Sequence, residues 1–339
     1  MRPTGKLHLG HLMGALNNWV RLQDEYQCFY MIADWHALMS EYEDPKGMKE
    51  FCYDMVRDFV ASGLDPEKSV IFIQSHVPEH LELAMIFSDI TPLAWVERVP
   101  TYKEQLREIK GRDLTTYGFL GYPVLQAADI AVYRANAVPV GVDQIPHLEL
   151  TREIIRRFNG LYKKDLFPEP EAILAKTPKL LGLDNRKMSK SYSNFIALSD
   201  TPEVIRKKVN VMITDPGRIR LQDKGHPDIC NLFSYYSTFI PPSASPLAGP
   251  RQARSAPGGA KPENTAKVRD WCESALKGCT ECKSVLAEIL IESLEPIRQK
   301  RDRLSDSQVE DIIREGARKA KKAASETMDE VRKLINLVP

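Results

Sequence analysis

Two short motifs carry the residue types that polyphosphate chemistry needs. His8-Leu9-Gly10-His11 lies near the start of the chain, and Lys187-Met188-Ser189-Lys190-Ser191 lies far downstream. A histidine can donate a hydrogen bond to a phosphate oxygen without carrying a full charge. Gly10 has no side chain and permits close approach of a nucleotide. The helix expected to continue through Leu12, Ala15, Leu16 and Trp19 would turn its first amides toward phosphate. Breaking the bond between an α-phosphate and pyrophosphate builds negative charge on both fragments. Lys187 and Lys190 on a loop can follow that charge and act most strongly in the transition state, with Ser189 and Ser191 as short donors beside them. Such a site works by positioning and electrostatics and needs no protein nucleophile. The chain has no Gly-x-x-x-x-Gly-Lys-Ser/Thr loop and no Gly-x-Gly-x-x-Gly at a first strand, which argues against a P-loop ATPase and a dinucleotide oxidoreductase.

Two further groups of residues stand out. Asp129 sits in Ala127-Ala128-Asp129-Ile130, surroundings apolar enough to make an idle carboxylate costly. Cys279-Thr280-Glu281-Cys282, with Cys272 shortly before and Cys230 upstream, has local spacing suited to thiolate coordination. Four thiolates suit structural zinc or a four-iron cluster equally, and spacing does not choose between them. Cys28 and Cys52 read as small hydrophobes.

The elements that must position these groups follow from periodicity. Cys28–Ala33 and Val70–Gln74 read as buried strands. Between them, Phe51, Met55, Phe59 and Val60 share one helical face, and Gly63 is placed to end that helix. Strand, helix, strand at this spacing predicts a βαβ unit and a parallel sheet. Val138–Gly141 begins another strand, His147–Asn159 a helix, and Pro168–Ser193 reads as loop. Thr201-Pro202 looks like a helix start, with Thr201 as N-cap. Beyond it no strand is expected. Ser305–Leu337 reads as one long helix, its Val309, Ile312, Ile313, Ala317, Ala320, Ala324, Val331 and Leu334 near one side. Its basic residues Arg314, Arg318, Lys319, Lys321 and Lys322 read as a solvated face, with RNA contact as the alternative. Residues 241–262 are rich in Pro, Ala, Ser and Gly and predict a surface insertion.

Composition sets outer limits. At 339 residues there is room for two domains, and 43% hydrophobic with 27% charged residues is ordinary for a globular enzyme. With 47 basic and 46 acidic residues the net charge is +1, so any nucleic-acid contact must rely on local patches. No apolar run is long enough for a membrane span, and the N-terminus lacks a secretory signal. The expected location is cytoplasmic.

Taken together, the motifs resemble those of class I aminoacyl-tRNA synthetases, and the residues between them resemble the tryptophanyl branch. Tyr122-Pro123-Val124-Leu125-Gln126-Ala127-Ala128-Asp129-Ile130 is similar to that branch's specificity helix, and Gly141-Val142-Asp143-Gln144 to its Gly-Glu-Asp-Gln segment, with Val142 where Glu is usual. Ala33-Asp34-Trp35-His36-Ala37 matches an active-site segment. The resemblance implies a Rossmann-like α/β catalytic domain over 1–195 and an all-helical C-terminal anticodon-binding domain over 196–300. A C-terminal helix within 301–339 would pack back toward the first domain. It implies ATP binding at Thr4, His8, Gly10, His11, Lys187, Met188, Ser189, Lys190 and Ser191, with the two histidines and two lysines catalytic. Mg²⁺ would accompany ATP. Tryptophan would meet Asp129, Tyr122, Gln144, Gln126 and His36. Indole has a single polar group, an N–H, and one buried carboxylate is its economical acceptor.

The resemblance also points Cys230, Cys272, Cys279 and Cys282 to the subset that carries a [4Fe-4S] cluster, with zinc as the alternative. Thr214–Arg220 is similar to the start of the anticodon-binding half, where Arg218 and Arg220 are candidate phosphate contacts. tRNA(Trp), L-tryptophan and a second copy of the chain are the implied partners. In the family a strand and a Ser-Gly precede Arg-Pro-Thr-Gly, whereas this sequence begins Met1-Arg2-Pro3. A misplaced start is the simplest expectation, since that strand would be central to the sheet. The competing readings are a tyrosyl-tRNA synthetase-like enzyme, another nucleotidyltransferase, and a non-catalytic tRNA-binding paralogue.

Overall fold

The computed structural model describes residues 1–100, 102, 113–174, 180–240 and 262–337. The expected insertion over 241–262 lies outside them but for Pro262. The chain divides into two compact units, one of residues 1–5, 18–176 and 304–339, the other of residues 6–17 and 177–303.

In the first unit β1 (Cys28–Ile32) pairs in parallel with β2 (Ser69–Ile73), Tyr30 opposite Ile71. The expected βαβ connection runs through helices Asp34–Glu41 and Met48–Ala61. The second of these buries Cys52, Met55, Val56 and Phe59, and Gly63 turns the chain at φ +114°, a conformation that favours glycine. All five residues of β2 are buried, as expected for a strand covered on both faces. Its Val70 and Phe72 enter a core with Leu83 and Phe87 of helix Glu79–Ile90, Val124 and Ala128 of helix Tyr117–Ala131, and Phe158 of helix Ile145–Tyr162.

A second parallel pair joins β3 (Ala137–Val140) to β4 (Glu171–Leu174). The loop expected over 168–193 therefore contains a strand. Four half-exposed residues preceded by Pro168 and Pro170 carry too short a pattern to reveal it.

The helix Asp306–Leu334 begins at Ser305, whose hydroxyl accepts from Gln308 N–H while the Gln308 side chain accepts from Ser305 N–H, a reciprocal capping box. This helix lies along β2. A Cβ on Gly316 would come within 1.8 Å of the Ile71 carbonyl oxygen, so helix and strand meet backbone to backbone. Ala320, Ala324, Met328 and Val331 complete the same core.

The second unit is helical: Pro202–Asn210, Asn231–Phe239, Thr265–Glu273 and Cys279–Arg303. Thr201 caps the first of these by accepting from Val204 N–H, with Pro202 at its first position. Ile205, Val209, Tyr235, Tyr236, Leu286, Leu290 and Leu294 are buried there. No strand occurs after Leu174 among the described residues, and none of their helices is long and apolar enough to cross a membrane. Parallel strand pairs with helical cover, followed by a helical region, agree with the expected α/β class.

Candidate active site

The second unit brings the two distant motifs together. Leu9 N–H donates to the Ile196 carbonyl at 3.0 Å and Leu198 N–H to the Leu7 carbonyl at 2.9 Å, an antiparallel bridge of His8 to Ala197. The first motif is thereby paired with the strand-like segment that leaves the lysine loop.

Backbone geometry fixes the histidine tautomers. Gly10 N–H donates to His8 Nδ1 at 3.1 Å, and His8 N–H donates to His11 Nδ1 at 3.2 Å. Each ring accepts at Nδ1, so its proton sits on Nε2, the position from which a ring can donate to a phosphate oxygen. Burial, then the charge of Lys190, pushes His8 down to about 4. Burial, then His8 and Lys190, also holds His11 well below the usual imidazole range. Both rings are neutral donors at neutral pH. The helix that follows is not uniform. After Leu9–His11 it widens into a π-turn over Leu12–Leu16 before Asn17–Leu22. Gly10 has a local role as well: a Cβ there would stand 3.0 Å from the His8 ring and 3.3 Å from Met188 Sδ.

In the lysine loop, Lys187 is exposed, Met188 buried and Lys190 half-buried. Of Ser191 only the backbone is described. Asn194, which the sequence reading missed, bonds to the loop at several points: its Oδ1 accepts from Ser189 N–H at 2.9 Å and its Nδ2 donates to the Lys187 carbonyl at 3.1 Å.

The first unit holds the expected amino-acid residues. Tyr122, Gln126 and Asp129 share one face of helix Tyr117–Ala131. The Asp129 side chain is 8% exposed. His36 Nε2 lies 2.8 Å from its Oδ2 and His80 Nδ1 2.7 Å from its Oδ1, while Gln74 Nε2 donates to both oxygens at 2.8 and 3.0 Å. Burial alone would raise the Asp129 pKa. The bonds from His36 and His80 outweigh it and hold the carboxyl well below its ordinary range.

Gln74 and His80 were not read from the sequence. Gln74 follows the carboxyl end of β2, where open α/β sheets bind ligands, and that position was the available signal. His80 gave none: it is one residue of an amphipathic helix and fully buried. Tyr122 hydroxyl meets His147 Nε2 at 2.7 Å, and burial pushes His147 down to about 4. Asp34 braces backbone, its Oδ1 accepting from Trp35 and Ser75 N–H, both at 3.0 Å. Gln144 is half-buried at the start of helix Ile145–Tyr162; Thr4 belongs to the first unit and His8 to the second.

These features match known proteins closely. The family model described as tRNA synthetases class I (W and Y) matches residues 1–255. The chain belongs to that family. It is 48% identical over 341 residues to the tryptophan–tRNA ligase of Thermotoga maritima, covering 100% of this chain and 98% of that protein. It is 41% identical to the corresponding ligase of Aquifex aeolicus, covering 99% of this chain and 98% of that one. The crystal structure of tryptophanyl-tRNA synthetase from Campylobacter jejuni complexed with ADP and tryptophan superposes with a TM-score of 0.85 at 31% identity. That match spans 99% of this chain and 98% of that one.

Membership in this synthetase family does not extend to an iron–sulfur subset. Among the described residues, no group of three or more His, Cys, Asp or Glu side chains is placed to hold a metal ion, which overturns both the [4Fe-4S] and the zinc expectations. Cys230, Cys272, Cys279 and Cys282 do line one cavity with Trp271 and Leu232. They come from three different helix ends, and sharing a wall is not convergence on a point. Burial pushes Cys282 up to about 12 and raises Cys272. Arg218 lines that same cavity and donates to the Leu221 carbonyl at 3.0 Å, whereas Arg220 is exposed.

Proposed function

We propose that this chain activates L-tryptophan with ATP and passes the activated amino acid to tRNA(Trp). It is an ATP-dependent aminoacyl-tRNA ligase of class I. The observation that carries the choice of amino acid is the buried Asp129 carboxylate, kept ionised by hydrogen bonds from His36, His80 and Gln74. Such a group suits a ligand whose recognition end offers one N–H and is otherwise hydrophobic.

The roles follow from the residues present. Asp129 accepts the indole N–H. Tyr122, Gln126, Gln144 and His36 complete the tryptophan set. The substrate carboxylate is already ionised, so it attacks the α-phosphate without a protein base, and the bond to pyrophosphate breaks. Lys187 and Lys190 meet the charge that builds as it does so, while the Nε2–H groups of His8 and His11 donate to phosphate oxygens. Thr4, Gly10, Met188, Ser189 and Ser191 complete the ATP set. In the second step a ribose hydroxyl of the tRNA end attacks the acyl carbon, and AMP leaves.

The catalytic domain spans 1–195, and 196–300 is the anticodon-binding domain, with Arg218 and Arg220 toward the RNA backbone and 301–339 a returning helix. The working form is a cytoplasmic homodimer. What supports these assignments is the position of the motifs and the full-length likeness to the tryptophan ligases.

The test is amino-acid-dependent ATP–pyrophosphate exchange with tryptophan and tyrosine in parallel, followed by charging of tRNA(Trp). Exchange with tryptophan alone is expected. Exchange with tyrosine alone would replace the tryptophan reading, and tRNA binding without exchange to either would replace the catalytic one. Sedimentation of the active protein as a monomer would remove the homodimer.

A further inference from the structure

We infer that Asn194 is the positioning residue of the lysine loop, setting Lys187 and Lys190 for the activation step. The inference rests on the reading of those two lysines as the groups that meet phosphate charge.

Asn194 is 5% exposed, and its carboxamide bonds at every polar position. Oδ1 accepts from Ser189 N–H at 2.9 Å. Nδ2 donates to Asp184 Oδ1 at 2.7 Å and to the Lys187 carbonyl at 3.1 Å. Its own carbonyl accepts from Leu183 N–H at 2.8 Å. Two acceptors on one side and a donor on the other leave only one orientation of the amide. The residues bound are Asp184, Lys187 and Ser189, so one side chain fixes the loop at its start and on both sides of Met188.

The neighbours are arranged around this clasp. A Cβ on Gly182 would lie 2.3 Å from Asn194 Nδ2 and 2.7 Å from the Asn194 carbonyl oxygen, so glycine leaves the space that Asn194 fills. Gly182 is held in turn, its N–H donating to the Arg186 carbonyl at 2.7 Å and its carbonyl accepting from the buried Asn231 side chain at 2.7 Å. The loop thus stands on a rigid base.

The physical advantage is entropic. A loop that carries two long cations loses backbone and side-chain freedom when both must meet a phosphate. Backbone already fixed at Lys187 and Ser189 leaves only the lysine stems to be ordered in the transition state. Asn194 touches no reacting atom in this role. Its loss would show in the chemical step rather than in tryptophan binding.

The discriminating variant is isosteric. Asn194→Asp keeps the shape but replaces the donating amide with a carboxylate facing Asp184 and the Lys187 carbonyl. A buried carboxylate beside Asp184 also costs fold stability, so the unchanged tryptophan affinity and the exchanged double variant below separate positioning from lost packing. The expected result, in single-turnover adenylate formation, is a rate lowered by about 10- to 100-fold with Asn194→Asp and with Asn194→Ala. The tryptophan dissociation constant should stay within about twofold of the parent.

The double change Asp184→Asn with Asn194→Asp exchanges donor and acceptor and should recover much of the loss, which also guards against a variant that fails to fold. In a background with both Lys187→Ala and Lys190→Ala, Asn194→Ala should add little, because the clasp acts only through those two lysines. A parental rate for Asn194→Asp, or a further loss from Asn194→Ala when both lysines are already alanine, would overturn the clasp. A parental rate for both Lys187→Ala and Lys190→Ala would instead overturn the lysine-loop reading on which it stands.

Discussion

His80 Nδ1 stands 2.7 Å from Oδ1 of Asp129, and on its far side His80 Nε2 meets the Tyr133 hydroxyl at 2.7 Å. Burial, then the charges of Asp129 and Glu79, raises the Tyr133 pKa, so the hydroxyl keeps its proton. An ionised carboxylate can only accept, so the ring nitrogen that faces Asp129 carries a proton. Tyr133 is itself fixed by stacking on Phe29 at 4.5 Å. A residue of β1 is thus linked, through one ring contact and two hydrogen bonds, to the acid proposed to read the indole.

Removing the middle of that chain should weaken recognition of the amino acid. His80→Leu deletes a hydrogen bond to a buried charge, an interaction worth about 1.5–3 kcal/mol. The tryptophan dissociation constant should rise roughly tenfold or more by titration calorimetry, with ATP binding unchanged. An unaltered tryptophan affinity would detach His80 from the site.

Lys190→Ala should lower adenylate formation by about 100- to 1000-fold, the scale for losing a charge-stabilising group in a transition state. Tryptophan affinity, measured by equilibrium dialysis, should change little. Equal losses in rate and affinity would mean that Lys190 binds ground state and transition state alike.

The buried histidines give a pH signature whose sign can be worked out. His8 and His147 sit at about 4 in the folded chain, against an ordinary 6.5. Between those values the unfolded chain binds more protons than the folded one, so stability falls as the pH drops from 6.5 toward 4 and is flat above 6.5. Melting followed from pH 8 to 4.5 should show that bend. His147→Gln should reduce it. Because His8 acts as a neutral donor, the KM for ATP should stay level from pH 8 to about 6.5; tighter ATP binding on acidification across that range would indicate an imidazolium instead.

Gly316→Ala should destabilise the protein by about 1–3 kcal/mol through overpacking, since its Cβ would be driven onto the Ile71 carbonyl. Gly160→Ala is the matched control. It lies in helix Ile145–Tyr162 with nothing within 4 Å of a new Cβ, and it should gain up to about 1 kcal/mol from helix propensity. Denaturant midpoints read both. A neutral Gly316→Ala would show that helix and strand can part without cost.

Local pattern was legible in the chain. The period of Phe51, Met55 and Phe59 announces the helix Met48–Ala61, and the two motifs proposed to handle phosphate, picked out by residue type, meet through the His8–Ala197 bridge. What could not be read were partners set by tertiary contact. Gln74 and His80 reach Asp129 from a strand end and a separate helix, and Asn194 looks like any loop asparagine until Gly182 is seen to make room for it. The cysteines erred in the other direction. Their spacing satisfies a ligand pattern, but spacing does not say which way a thiol points, and these line a wall.

The helix Asp306–Leu334 is synthesised after every other element named above, yet its Ala320, Ala324, Met328 and Val331 sit at the centre of the core that holds β2. While it is still being made, Val70 and Phe72 lack that cover, although residues 6–17 and 177–303 have all been translated. Domains generally fold as units on the ribosome as their sequence emerges. Here the unit that starts first must wait longest. A chain that stops before residue 306 never gains that helix, and its β2 face is left open to chaperones.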